Sequence, residues 1–273
     1  MRMQRRWFSV ALVAAVAVTI GLAAVASAKA AAEMQKAPIG YDDTPMQPDG
    51  KWRIHDGNRP RPKVVTPAAF VPMPPPPDAI VLVGGGNDLS KWETSNGAPV
   101  PWPMTDGVLS TGKGTIRTKA EFTDIQLHVE FATPSKVVGD SQERGNSGVF
   151  LAGVFEIQVL DSFNNITYAD GQAAAMYGQF PPLVNASRPP GEWQSYDIVF
   201  KAPRFNTDAL ASPAVVTVLH NGVLVHNARP FWGGTTHKAI VPYRPSMARG
   251  PIRLQDHGNP VHYRNIWVRE WAE

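Results

Sequence analysis

Hydrophobic and polar residues alternate with period two through much of the chain. The clearest run is residues 123–131, where Ile125, Leu127, Val129 and Phe131 share one face and Gln126, His128 and Glu130 share the other. Successive side chains on a strand point to opposite sides, so this run predicts a strand with its apolar row on the core and its polar row facing out. Phe155, Ile157 and Val159 form a second apolar row backed by Glu156 and Gln158, in a segment too short and too β-branched for a helix. Ile80–Val83, residues 149–151, Gln194–Lys201, residues 252–255 and residues 261–270 read as further strands. Between Val215–His220 and residues 223–226 lies Asn221-Gly222, a pair suited to the two positive φ angles of a type I′ hairpin turn. Beyond Asp78 no amphipathic helical stretch of useful length is present. Short strands punctuated by Gly, Pro, Asn and Asp predict an all-β fold, a two-sheet antiparallel jelly-roll sandwich.

The N-terminal third has a different character. Residues 1–28 carry Arg2, Arg5 and Arg6, then an apolar run, then Ala26-Ser27-Ala28, which is the layout of a cleaved secretory signal. Retention as a membrane anchor is the competing reading, because the run approaches spanning length. The expectation is a periplasmic or secreted protein with no stable membrane anchor after cleavage. Removing the signal leaves 23 basic and 23 acidic residues, so no nucleic-acid footprint is supported. The chain contains no cysteine, which excludes disulfides and a lipidated cysteine, and its stability must come from the core. From Pro38 to Pro77 there are eleven prolines, and proline fixes φ and lacks the amide hydrogen. Residues 29–78 are therefore expected to form an extended linker or an N-terminal Pro-rich strap over a domain at residues 79–273. Tyr41, Trp52, Ile54 and Phe70 are apolar anchors that favour the strap.

The chemistry-bearing residues cluster in three segments. Gly145-Asn146-Ser147-Gly148 precedes Phe155-Glu156-Ile157-Gln158-Val159-Leu160-Asp161; Gly191-Glu192-Trp193-Gln194-Ser195-Tyr196 follows; Leu254-Gln255-Asp256-His257-Gly258 comes with Arg264-Asn265-Ile266. Glu156 and Gln158 point the same way from one rigid strand and suit a polyhydroxylated ligand, or else are a solvated strand face. His257 suits acid–base exchange, or holds its own turn. Arg144 and Asn146 reach a ligand, or only flank a turn whose glycines supply positive φ. Trp193 stacks on a sugar or lies in the core, and Tyr177 sits in a Gly-bounded loop. Gln255 and Arg264 are candidates to stabilise a carbonyl or enolate oxygen. His220, His226, His237, His257 and His262 show no tight ligand spacing, so no metal site is expected.

In this order the segments resemble the 3-keto-disaccharide hydrolase family (DUF1080 domain). Leu89-Ser90-Lys91-Trp92, Asp106-Gly107-Val108-Leu109 and Gly114-Thr115-Ile116-Arg117-Thr118-Lys119 match it too, whereas Val83-Gly84-Gly85-Gly86-Asn87 replaces its usual Phe-Asp-Gly opening. The resemblance implies a concanavalin A-like jelly roll of the lectin/glucanase type, with a concave sugar-binding face, acting on glycosides oxidised at C3. It implies no required cofactor, with a divalent cation allowed. A C3 ketone acidifies the C2 proton; a base removes it, the leaving group departs from C1, and water adds to the enone. This needs a base near C2, donors near the C3 oxygen and an acid near the leaving oxygen. Glu156 and His257 are the catalytic candidates, with Arg144, Asn146, Gln158, Tyr177, Trp193, Gln255 and Arg264 on the substrate. A glucanase with two catalytic carboxylates fits less well, because the same-face series Glu156, Gln158, Leu160 lacks the second carboxylate. A non-catalytic carbohydrate-binding module of the same fold is the alternative.

Overall fold

The structure is a computed structural model and describes residues 39–84, 86 and 88–271. The signal expected at residues 1–28 and the beginning of the Pro-rich segment lie outside the described residues. Among the described residues regular helix is limited to short 3₁₀ turns, and no helix is long and apolar enough to cross a membrane.

The strands of the two principal sheets are β1 (Ile80–Val83), β2 (Trp92–Thr94), β3 (Met104–Thr105), β4 (Val108–Ser110), β5 (Ile116–Thr118), β6 (Ile125–Ala132), β7 (Ser147–Leu151), β8 (Phe155–Val159), β9 (Gln194–Lys201), β10 (Val215–His220), β11 (Val223–Pro230), β12 (Arg253–Leu254) and β13 (His262–Glu270). The back sheet runs β11-β10-β9-β6-β13-β4-β3, with β1 also paired to β13, and the front sheet runs β2-β5-β12-β7-β8. Every pairing within them is antiparallel. The fold is thus the two-sheet antiparallel sandwich of jelly-roll type. Asn221 and Gly222 have φ of 53° and 77°, as a type I′ turn between β10 and β11 requires.

The apolar rows of both sheets meet in one core. Leu127, Val129, Phe131, Ile198, Phe200, Val216 and Val218 enter it from the back sheet, and Ile116, Val149, Leu151, Phe155, Ile157 and Val159 from the front. Phe155 packs against Phe200 and Phe231 with ring centroids 5.6 and 5.0 Å apart. Burying each such side chain contributes roughly 1.5–3 kcal/mol. Two back-sheet tyrosines cross the core to reach front-sheet strands. Tyr196 donates to the Gln158 carbonyl at 2.7 Å and Tyr263 donates to Ser147 Oγ at 2.7 Å. These bonds fix the height of β7 and β8, which carry the site.

Two of the three polar residues of this β6 row do not face water, while Gln126 is half-buried. His128 and Glu130 are buried, because the Pro-rich segment and β13 cover them. The Met73 carbonyl accepts from Asn265 Nδ2 at 2.8 Å and from the Trp267 indole at 3.3 Å. His128 stacks on Trp267 and bonds Asp197 at 2.7 Å. Glu130 accepts from Arg264 Nε at 2.6 Å and Asn265 Nδ2 at 2.7 Å. Burial works against the charge on Glu130, yet His128, Asn265 and Arg264 outweigh it and hold the carboxyl below the usual range. The alternation is as the sequence predicts, but the outward row is satisfied by ion pairs rather than by solvent.

Replacing Glu130 by Ala leaves Arg264 without its counter-charge and His128 with Asp197 as its remaining carboxylate partner. Arg264 is one-third exposed, so solvent offsets part of the loss, and the cost is about 2–3 kcal/mol. Thermal unfolding followed by circular dichroism should show Tm lowered by about 5–10 °C; an unchanged Tm would show that this carboxylate does not stabilise the covered face.

Candidate active site

Strand register builds the site. Across the outer face of the front sheet, Glu93 pairs with Arg117, Arg117 with Arg253, Arg253 with Phe150 and Phe150 with Glu156. Paired residues share a face, so these five form one row. Gly148 and Gln158 form part of the next row. The row ends on β8, the last strand of the sheet, where Glu156 backs onto a cavity of about 510 Å³. Gln142, Asn146, Gln158, Tyr177, His237, Arg253, Gln255 and His257 line it with Glu156, and Tyr41, Phe150, Tyr168, Thr235 and Thr236 complete the wall.

Glu156 is held from every side. Its amide donates to Thr235 Oγ1 at 3.0 Å, and its carbonyl accepts from the Tyr177 amide at 3.3 Å. A Cβ on Gly148 would overlap Glu156 Oε1, so that glycine exists to make room for the carboxyl. Gly145, at φ 57°, is the residue that serves the turn. Burial pushes the Glu156 carboxyl up from the usual 4.5 to about 8, and Arg253 only partly opposes this. Arg253 spends one nitrogen on the Gly153 carbonyl and lies over the Phe150 ring. The Gln158 amide, with its nitrogen toward Glu156, donates to Oε1 at 3.0 Å and to the Ser147 carbonyl at 2.9 Å.

The other wall carries imidazoles and phenols. Gln255 is set in place by its amide on the Gly148 carbonyl at 3.1 Å and by Ser147 Oγ on its own carbonyl at 2.6 Å. His257 follows on a turn that Asp256 closes, accepting from the Gly258 amide at 2.8 Å. His237 Nδ1 lies 3.2 Å from the Tyr177 hydroxyl, which lies 3.1 Å from the Tyr168 hydroxyl. Desolvation, followed by His55, Lys238 and His257, lowers the His237 pKa, so it is a neutral imidazole at pH 7. The cavity thus carries a carboxyl whose pKa is raised by burial and an imidazole whose pKa is lowered by it, a spread that proton-transfer chemistry can use.

Glu156, His257, Asn146, Gln158, Tyr177 and Gln255 therefore come together on one cavity. Arg144, Trp193 and Arg264 do not. Arg144 is committed to Asp161 at 2.7 Å and to the Phe163 carbonyl at 2.8 Å. Trp193 and Arg264 lie on the far face of the back sheet, where the guanidinium sits 4.0 Å over the indole and pairs with Glu130. Tyr41, Phe150, Tyr168, His237 and Arg253 escaped the sequence reading. Phe150 and Arg253 were discoverable from register once Glu156 was chosen; nothing in the local sequence marks the others. Among the described residues no group of three or more His, Cys, Asp or Glu is arranged to hold a metal ion.

The protein is a β-sandwich with a polar cavity on one sheet, and its likeness to known proteins makes it carbohydrate-active and glycosyl-hydrolase-like. The chain belongs to the family described as the 3-keto-alpha-glucoside-1,2-lyase-like domain, which matches residues 78–269. It is 44% identical to a "putative glycosyl hydrolase" of Parabacteroides distasonis ATCC 8503, covering 78% of this chain and 93% of that one, with a TM-score of 0.70. A second protein of that organism and description shares the fold at 17% identity and a TM-score of 0.50, covering 67% of this chain and 89% of that one. No curated protein matches.

The folded protein keeps a proton on Glu156 that the unfolded chain releases above pH 4.5. This group's contribution to stability is therefore unpenalised below that value and falls as pH rises to about 8, by at most ~1.4 kcal/mol per unit. Glu156→Gln removes the effect. Thermal melts should show little difference between variant and wild type at pH 4.5, and a Tm advantage for the variant that grows to several degrees by pH 8; a gap that does not change with pH would contradict the burial argument.

Proposed function

We propose that this protein cleaves 3-keto-glycosides by proton abstraction at C2, elimination at C1 and hydration of the enone. What supports the reading is the placement of Glu156 and His257 on one cavity, with the carboxyl desolvated and only partly countered by Arg253. The C2 proton passes to an imidazole nitrogen, of His257 or of its neighbour His237. The C–H electron pair becomes an enolate, whose C3 oxygen takes hydrogen bonds from the amides of Asn146 and Gln255 or the guanidinium of Arg253. The enolate re-forms the ketone as the C1–O bond breaks, and Glu156 gives its proton to the departing oxygen. The resulting carboxylate then takes a proton from water, which adds at C1, and the imidazolium returns its proton to C2. Each group ends as it began, as a catalyst must.

Glu156→Gln keeps shape and hydrogen bonding but cannot donate this proton, and should lower kcat on a 3-keto-glycoside by about 10²–10⁴. His257→Ala should lower it by a comparable factor if this imidazole is the base; a full loss in His237→Ala instead would move that role to His237. The wild-type rate should fall above about pH 8 as Glu156 ionises. The deciding assay offers the protein a 3-keto-glycoside and its unoxidised parent. Release from the oxidised compound alone supports the reading, and cleavage of the parent alone overturns it. Binding of both without turnover would make this a carbohydrate-binding module.

A further inference from the structure

The family match begins at residue 78, yet Tyr41, in the segment of residues 39–59, lines the cavity. This segment is tightly built. Gly40 and Gly57 cross so closely that a Cβ on Gly40 would stand 2.5 Å from the Gly57 Cα. Gln47 is buried and its amide nitrogen reaches Asp170 Oδ2, the Gly178 carbonyl and the Gln179 carbonyl at 3.1, 2.9 and 3.0 Å, while its oxygen accepts from Arg59 at 2.9 Å. The buried Asp170 also takes the His55 amide at 3.0 Å and His55 Nδ1 at 3.1 Å. Gln47 and Asp170 are taken out of water here with their polar atoms paired, so the segment docks in a defined geometry.

That geometry presents Tyr41 to the cavity. Its amide bonds the His55 carbonyl at 2.8 Å, and Lys238 Nζ lies 3.6 Å over its ring. The ring stands 6.1 Å from Tyr168 and 5.7 Å, edge-on, from His237. Behind them the His55 ring packs against Tyr168 at 4.2 Å and Tyr177 at 4.7 Å. The cluster is an aromatic wall joined to the backbone of Glu156 by one hydrogen bond, from the Tyr177 amide to the Glu156 carbonyl. A wall of rings suits a ligand with a flat apolar face, as in a pyranose or an aryl group.

We propose that Tyr41, carried by residues outside the family domain, is a substrate-contacting residue and forms with Tyr168 and Tyr177 a subsite for a cyclic leaving group. The assignment of this end to the leaving group rests on Glu156 protonating the departing oxygen. The subsite makes the protein a discriminator between ring-bearing and simple alkyl glycosides.

The test uses the full chain with Tyr41→Ala, Tyr41→Leu and Tyr41→Phe variants; Leu keeps the volume without the ring. Calorimetric titration compares unoxidised methyl, phenyl and glucosyl glucosides, and kinetics compare their 3-keto counterparts. Wild type should bind the phenyl or glucosyl compound roughly 3- to 10-fold more tightly than the methyl one. Tyr41→Ala and Tyr41→Leu should erase that preference, and Tyr41→Phe should keep it. Which of the two ring compounds gains identifies the source of the flat face. No preference in wild type, or one that survives loss of the ring, overturns the proposal. A preference that depends on Tyr41 in a protein that turns over no 3-keto compound keeps the subsite and removes the reaction.

Discussion

One carboxyl group kept dry on a rigid strand is the constraint on which the site depends. Glu156 belongs to a strand whose other face, Phe155, Ile157 and Val159, is locked into the core. Its height is set by a tyrosine reaching across the sandwich, and its carboxyl fits only because position 148 has no side chain beyond hydrogen. The unfavourable desolvation of that group is small beside the apolar burial on the reverse of the same strand. The core thus holds in place a group that would otherwise turn toward water.

The two sheets show the same device with opposite outcomes. Glu130 is buried on the far side of the molecule too, but Arg264, Asn265 and His128 surround it and its pKa falls. Glu156 has Arg253 only in its neighbourhood, and its pKa rises. A buried acid with full compensation is a structural tie that fixes the Pro-rich strap. A buried acid without it keeps its proton to a higher pH. This difference explains why Arg264 and Trp193, attractive as ligand contacts, serve stability instead.

Strand positions were legible because a strand half-buried by a core must alternate, and the alternation was visible at residues 125–131 and 155–159. The Asn221-Gly222 turn was legible because few residue pairs tolerate two positive φ values. The short strands β2 to β5 were not, since two or three residues are too few to show a period. Glu156 and His257 stood out through motif order, and Gln158 through its shared face with Glu156. Tyr41 and His237 lie far from both in sequence, and no local pattern announces that a segment of prolines and loops will close a cavity.

The amino-acid sequence by itself determined the class of fold, the apolar faces and the strand that carries the acid, because those follow from period-two geometry and residue chemistry along a few neighbouring positions. The tertiary structure alone decided which polar residues meet. Whether an arginine binds a ligand or a carboxylate, and whether a glutamate is charged, depends on what lies across the sheet or over it. Those neighbours are tens to hundreds of residues away in the chain, and only packing brings them within the few ångströms over which desolvation and hydrogen bonding act.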